Sequence, residues 1–215
     1  MGAMGAMGQW GNGYSGVMVG VKKPEGERQD DIIAAARAVA LRGGLETVSA
    51  RTVAAEAQLS SGLVYFHFGS KDGLLQALLR HLMDTALDGP RRGFGQNLSA
   101  DEAFFSMVAN EVAGLNEFRD EADLLFQFYF FRRGTEFRST INAGLNAYSE
   151  SMKDVTDRFA LEKGLAPDAF RSSLLALIQG AAVDAVRRPT EFDSEQIIQI
   201  IQNFSATTQD LNRFT

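Results

Sequence analysis

Cysteine is absent from the 215 residues, and histidine occurs only at His67 and His81. The chain therefore forms no disulfide and offers no thiolate ligand to a metal ion. No stretch approaches the roughly 18 consecutive apolar residues of a membrane-spanning helix, and the first 20 residues lack the charged start and apolar centre of a secretory signal. These absences predict a cytoplasmic protein without a membrane anchor.

The same scarcity limits enzymatic chemistry. Besides the lack of cysteine, the sequence has no Gly-x-Ser-x-Gly nucleophile motif, no phosphate-binding loop and no Glu-x-x-His metal motif. We therefore expect no enzyme and no resident metal or cofactor. An α-helical ligand-binding or adaptor protein remains as the other alternative to the function derived below.

Charge is distributed unevenly along the chain, which has a net charge of −6. Residues 22–92 contain 10 Lys and Arg against 9 Asp and Glu, whereas residues 93–215 contain 11 against 18. The front segment is thus close to neutral, and a few well-placed cations there are enough to contact DNA phosphates. This asymmetry permits DNA binding without demonstrating it.

Apolar residues recur at spacings of three and four along the chain, which is the period of amphipathic helices. The pattern predicts an all-α fold of about nine helices. Helix ends are marked by Gly43–Gly44, Gly89–Pro90 and Gly164, and the longest predicted helix runs over residues 136–163. We expect a disordered tail at 1–21, native or partly a cloning remnant, a helix-turn-helix domain at 22–70, a linking helix and linker at 71–92, and a ligand-sensing and dimerisation domain at 93–215.

Residues 49–75 carry the strongest functional pattern. Two short helices are predicted on either side of a polar turn at Gln58–Leu59–Ser60. That is the outline of a helix-turn-helix, whose second helix enters the DNA major groove. Ser70 then caps a fourth helix. The segment predicts a DNA-binding head.

The residues of this segment also resemble a known family. The string Ser/Thr-x-Arg-x-hydrophobic-Ala, followed by Ser-x-Gly-x-hydrophobic-Tyr-x-His-Phe-x-x-Lys-x-x-Leu, is similar to the head of the tetracycline-repressor (TetR) family of bacterial transcription regulators. The matching residues are Ser49, Arg51, Val53, Ala54, Ser60, Gly62, Tyr65, His67, Phe68, Lys71 and Leu74. The resemblance covers residues 29–82 and implies a three-helix head followed by a larger helical sensor domain.

The head supplies the predicted DNA contacts. Arg51 and Lys71 are placed to reach phosphates, and the start of the third helix turns its amides toward the groove. The predicted set is Ser49, Arg51, Ser60, Ser61, Gly62, Leu63, Tyr65, Phe66, His67 and Lys71. Two residues depart from the family pattern: Leu63 replaces a small polar residue and favours contact with a thymine methyl, and Gln58 replaces the usual glycine of the turn, at about 1 kcal/mol if φ is positive there.

The resemblance further implies a homodimer and a small-molecule effector. Small residues of the segment 174–186 allow close helix approach, and the predicted interface is Leu177, Gly180, Ala181, Val183, Ile198 and Ile201. The many aromatic residues of the middle predict a hydrophobic or aromatic ligand. Its predicted contacts are Phe104, Phe105, Asn110, Phe126, Gln127, Tyr129, Phe130, Asn142 and Tyr148.

The expected mechanism is release of operator DNA by the effector. A ligand bound in the sensor shifts the fourth helix, which changes the separation of the two heads and lowers the affinity for a palindromic operator. A repressor is the first expectation. Activation is equally compatible with the sequence, because the sign of regulation depends on the position of the operator.

Overall fold

The computed structural model describes residues 24–87, 98–132 and 134–211, with side chains to residue 203. These residues form ten α-helices, one 3₁₀ turn (Leu45–Thr47) and no strand, which confirms the all-α prediction. The helices are α1 Glu25–Gly43, α2 Ala50–Glu56, α3 Ser61–Phe68, α4 Lys71–Leu87, α5 Ala100–Glu117, α6 Arg119–Phe131, α7 Thr135–Ser151, α8 Lys153–Glu162, α9 Pro167–Arg187 and α10 Ser194–Leu211. The predicted tail 1–21, the helix stop at Gly89–Pro90 and most of the linker lie outside the described residues.

Side-chain caps fix the starts of several helices, including the one predicted at Ser70. The Ser70 hydroxyl accepts a hydrogen bond from the Gly73 amide at 3.0 Å, and the Asp193 carboxylate accepts one from the Gln196 amide at 3.0 Å. Each bond satisfies an amide that has no partner within its own helix. The predicted stop at Gly164 is also confirmed, because this residue follows α8 with a φ of 68°.

The predicted helix over residues 136–163 was wrong, because the chain breaks at Met152 into α7 and α8. The Ser151 hydroxyl donates to the Tyr148 carbonyl at 2.7 Å. The Met152 amide donates to the Ser149 carbonyl at 3.3 Å. This bond spans three residues, whereas the bonds of a regular α-helix span four. A serine that competes for a helix carbonyl in this way favours a bend. Met152 itself is 1% exposed and anchors the break in the core.

Two hydrophobic clusters hold the helices together. The first extends from α1–α4 into the later helices, where it takes in Leu124 and Phe128 of α6 and Phe137 and Ile141 of α7. The second joins α5, α8 and α9, with α10 packed on its side. Helix α4 packs mainly against α7 and also contacts α1, α3 and α6, so it connects the head to the rest of the chain.

Candidate nucleic-acid interface and interior cavity

Helix α2 begins with a capping box. The Ser49 hydroxyl accepts from the Thr52 amide at 3.1 Å, and the Thr52 hydroxyl accepts from the Ser49 amide at 3.0 Å. The reciprocal bonds fix the entry to the helix-turn-helix. Arg51 lies in the first turn of α2 and is exposed, so its guanidinium is free to reach a phosphate outside the protein.

The turn between α2 and α3 holds a left-handed residue at the position where the family pattern has glycine. Gln58 has a φ of 55°, the only positive φ outside glycine among the described residues. A side chain in this left-handed region costs about 1 kcal/mol. The turn is closed by the Leu59 amide, which donates to the Ala54 carbonyl at 2.8 Å. The strain thus sits at the corner that sets the angle between the two helices.

Helix α3 presents one face to solvent and is anchored by the other. Val64 is 2% exposed and packs inward, whereas Tyr65 and Phe66 are 54% and 76% exposed. The Ser60 hydroxyl caps the helix by accepting from the Leu63 amide at 3.2 Å. A Cβ added at Gly62 would meet nothing closer than the Ser60 hydroxyl oxygen at 3.9 Å. The protein itself does not require glycine here, which is consistent with close approach by a partner molecule.

His67 lies in the last turn of α3, and Lys71 is the first residue of α4. The Lys71 ammonium donates to the Glu46 carbonyl at 3.2 Å, so it must exchange this bond to reach a phosphate. His67 lies beside the rings of Phe66 and Phe68, with ring centroids 5.2 and 6.3 Å away. Its Nδ1 is buried without a hydrogen-bond partner among the described residues. Only its other nitrogen is therefore placed to serve the predicted phosphate contact.

Sequence reasoning missed an arginine next to this region. Arg132, which follows α6, lies 3.7 Å from the Glu46 carboxylate and 3.8 Å from that of Asp72. Both acids are exposed and lie beside Lys71. Their negative charges would repel a DNA phosphate that Lys71 contacts. Arg132 offsets part of this negative charge. No short-range signal marks the residue, because its partners lie far away in the sequence.

A cavity of about 970 Å³ that is open to solvent on one side lies between α4, α5, α6, α7 and α9. It is lined by five of the nine residues predicted to bind a ligand: Asn110, Phe126, Tyr129, Phe130 and Tyr148. The walls are otherwise largely apolar, with Leu125, Ile141 and Ile178 among them. A cavity of this size accommodates a drug-sized molecule.

The other four predicted ligand contacts do not line the cavity. Phe104 and Phe105 belong to the second hydrophobic cluster. There Phe104 stacks on Phe159, with ring centroids 4.0 Å apart. Asn142 is exposed on α7. Gln127 accepts a hydrogen bond from the Leu45 amide at 3.1 Å and so ties α6 to the 3₁₀ turn of the head. Helical spacing identified the apolar faces but not the neighbour that each face meets.

The cavity also contains glutamates that the sequence analysis did not select. Glu111 of α5 lines it, and its Oε2 accepts a short hydrogen bond from the Tyr148 hydroxyl of α7. Burial raises the pKa of the Glu111 carboxyl, and burial together with the neighbouring carboxylate raises the pKa of Tyr148. Glu117 and Glu121 also contribute to the lining. No Lys, Arg or His lines the cavity among the residues that the structure describes.

Glu121 has a second role, because it connects the cavity with the head. Its side chain is 9% exposed and forms an ion pair with Arg37 of α1, whose side chain is 38% exposed. The two residues are 84 positions apart, and nothing in the local sequence marks them as partners. One carboxylate thus contributes to the wall of the cavity and binds the first helix of the head.

The predicted dimer contacts divide between an outer and an inner face. Leu177 and Val183 are 71% and 42% exposed on α9. Gly180 is exposed and Ala181 is half-buried. Ile198 and Ile201 of α10 instead pack against the second cluster, while Ile200, which was not predicted, is 50% exposed. Helix α9 is also long and apolar enough to cross a membrane by length and composition alone, with 22% of its apolar window buried.

Comparison with known proteins yields a consistent set of matches. The model of the family described as "Bacterial regulatory proteins, tetR family" matches residues 32–78. The HTH-type transcriptional regulator PksA of Bacillus subtilis is 23% identical and covers 81% of this chain and 86% of its own length.

Two solved structures show the same fold. FadR of Bacillus subtilis, in complex with stearoyl-CoA, superposes with a TM-score of 0.65 at 18% identity, over 80% of this chain and 96% of its own. A transcriptional regulator from Saccharomonospora viridis, in complex with choline, superposes with a TM-score of 0.71 at 19% identity, over 84% of this chain and 96% of its own. The helix-turn-helix and the helical body thus recur together in proteins that regulate transcription.

Proposed function

We propose that this chain, whose residues 32–78 match the model of the tetR family of bacterial regulatory proteins, is a repressor of that family. It binds a palindromic operator as a homodimer. The observation that carries the proposal is the exposed face of α3, where Tyr65 and Phe66 point to solvent from a helix that Val64 anchors. A recognition helix must present side chains of this kind to the groove and the phosphates. The DNA contacts are the ten head residues predicted from the sequence. A protein with this function is expected in the cytoplasm, and operator binding requires no catalysis.

The second subunit is proposed to cover the outer face of α9. Leu177 is 71% exposed there beside the half-buried Ala181, whereas Gly180 and Val183 also line the cavity. A second copy of the chain removes that surface from water, which stabilises the pair in proportion to the apolar area buried. Two-fold symmetry also brings two recognition helices to successive major grooves. Ile200 of α10 extends the same proposed interface.

The cavity between α4 and α9 is the proposed effector site. One structural neighbour holds stearoyl-CoA and another holds choline, which supports a small molecule as the ligand of this chain. Its apolar and aromatic lining favours a ligand with a hydrophobic body. Met83 and Leu87 of α4 line it, and the same helix carries Lys71 at its other end. If the ligand binds more tightly to one of two placements of α4, it favours that placement and so changes the distance between the two heads of the dimer.

The test is selection of purified protein on random DNA duplexes over several rounds, followed by sequencing. We expect an enriched palindrome with half-sites about 10 base pairs apart or a multiple of that distance. Enrichment of a single half-site without symmetry would contradict the dimer. No enrichment would favour a helical ligand-binding protein that has lost DNA specificity.

Lys71→Ala tests the phosphate contact on the selected operator. Loss of one phosphate contact should lower the slope of log affinity against log salt by about one unit and weaken binding to all sequences alike. Lys153→Ala is the matched control, because it removes the same charge from α8, away from the head. An unchanged slope for Lys71→Ala would remove this residue from the contact set.

A further inference from the structure

The cavity carries more information about its ligand than apolar character alone. Glu111 lies in its wall, and Tyr148 supplies a neutral hydrogen bond to Oε2. Oε1 receives no hydrogen bond, and no cationic side chain pairs with the carboxylate, among the residues that the structure describes. Glu111 is half-buried, and partial burial without a countercharge disfavours the ionised carboxylate. A ligand with a positive charge would supply the countercharge that the described residues of the lining lack.

The aromatic residues of the cavity also favour a positively charged ligand. Tyr129 and Phe130 line the cavity and are also 55% and 58% exposed, so they lie at its mouth. Phe118 and Phe126 continue the aromatic lining inward. Aromatic faces attract organic cations, most strongly where water is excluded. An anionic ligand would meet ring faces and carboxylates of the same sign as itself.

We infer that the effector is a hydrophobic organic cation, held by aromatic faces at the mouth of the cavity and by Glu111 inside it. This inference rests on the proposed function, because it names the chemical class that the proposed effector site takes. It narrows the sequence-based expectation of a hydrophobic or aromatic ligand by adding one positive charge. Glu117 and Glu121 also line the cavity and favour a positive charge on the ligand, although Glu121 is already paired with Arg37.

The inference is tested with two ions of the same shape and opposite charge. Tetraphenylphosphonium and tetraphenylborate are titrated into the full-length protein in an isothermal calorimeter. We expect the phosphonium to bind and the borate to bind at least tenfold more weakly. Equal or tighter binding of the borate, or binding of neither ion, overturns the inference.

Glu111→Gln tests the role of the carboxylate directly. The amide keeps an oxygen for the Tyr148 hydrogen bond and removes only the charge, so we expect phosphonium affinity to fall about tenfold. Glu162→Gln is the matched control, because this glutamate is exposed at the end of α8 and lies outside the cavity. Thermal unfolding of each variant verifies that it is folded. Unchanged affinity in Glu111→Gln would overturn the assignment of the charge to this residue.

The pH dependence gives a separate readout. Because burial raises the pKa of Glu111, a bound cation displaces its proton, and phosphonium affinity should rise with pH until that pKa is passed. The other titratable groups of the lining are Glu117, Glu121, Tyr129 and Tyr148. Since these remain in Glu111→Gln, a rise that persists in this variant would assign the titration to one of them. The DNA selection contains no ligand, so an enriched palindrome together with failed cation binding refutes the effector class alone.

Discussion

The ion pair between Arg37 and Glu121 is the best place to test whether the cavity is energetically connected to the head. Arg37→Met removes the charge and keeps an apolar stem, whereas Glu121→Gln removes the opposite charge without changing the shape of the side chain. Arg37→Met leaves a nearly buried carboxylate without a partner. Glu121→Gln leaves an arginine that water can reach, since Arg37 is 38% exposed.

The expected cost follows from this difference in burial. Removing one partner of a fully buried pair costs about 3–5 kcal/mol. Partial access of water to Arg37 reduces the penalty, so we expect about 2 kcal/mol for Arg37→Met and about 1 kcal/mol for Glu121→Gln. The double variant should cost about 1 kcal/mol less than the sum of the two, because the second substitution removes a charge that is already unpaired.

The assay is denaturant-induced unfolding of the four proteins at one protein concentration, since subunit association contributes to the apparent stability. The more exposed pair Arg42–Glu56 serves as the matched control, and a cycle of Arg42→Met and Glu56→Gln should show a weaker coupling than the Arg37–Glu121 cycle, because water screens the pair. If the costs of Arg37→Met and Glu121→Gln add to within about 0.3 kcal/mol, the pair does not link the two parts of the molecule. In that case the reasoning from burial is refuted.

Three further predictions concern the turn, the α9 face and the buried carboxylate. Gln58→Gly relieves the positive φ and should raise the free energy of unfolding by about 0.5–1 kcal/mol, measured by denaturant titration; a destabilised variant would contradict the strain. Leu177→Asp should give monomers in sedimentation velocity, whereas Leu161→Asp, on the exposed side of α8, should not; a persistent dimer would place the interface elsewhere. Because the pKa of Glu111 is raised in the folded protein, its contribution to stability is present below about pH 4 and is lost as the pH rises through the folded pKa. Glu111→Gln should therefore gain in melting temperature relative to wild type as the pH rises, and a constant difference would contradict the direction of the shift.

Features set by a few neighbouring residues could be predicted from the sequence. The cap at Ser70 depends on a hydroxyl and an amide three residues later, and the resemblance to a known head identifies Gln58 as a residue in place of glycine. The position of α3, the proposed recognition helix, is likewise set by residues close to it in the sequence. Each of these features is confined to a segment of about ten residues, so local chemistry decides it.

The rest of the site depends on contacts between distant segments. Phe104 was expected in the cavity because it lies on an apolar helix face, but that face meets Phe159 in the second cluster. The pairs Arg37–Glu121 and Glu111–Tyr148 join helices that only the folded chain brings together. Periodicity shows that a helix has a buried face, and it carries no information on the partner of that face.

The hydrophobic cluster that unites α1–α4 with α6 and α7 bears on how such regulators can be recombined. A chimera that grafts a foreign head onto this sensor at residue 70 would leave Leu124, Phe128, Phe137 and Ile141 facing side chains for which they were not shaped. Because well-packed interiors tolerate such mismatches poorly, the interchangeable unit is larger than the DNA-binding segment. New operator specificity is therefore easier to obtain by changing exposed residues of α3 than by exchanging whole heads.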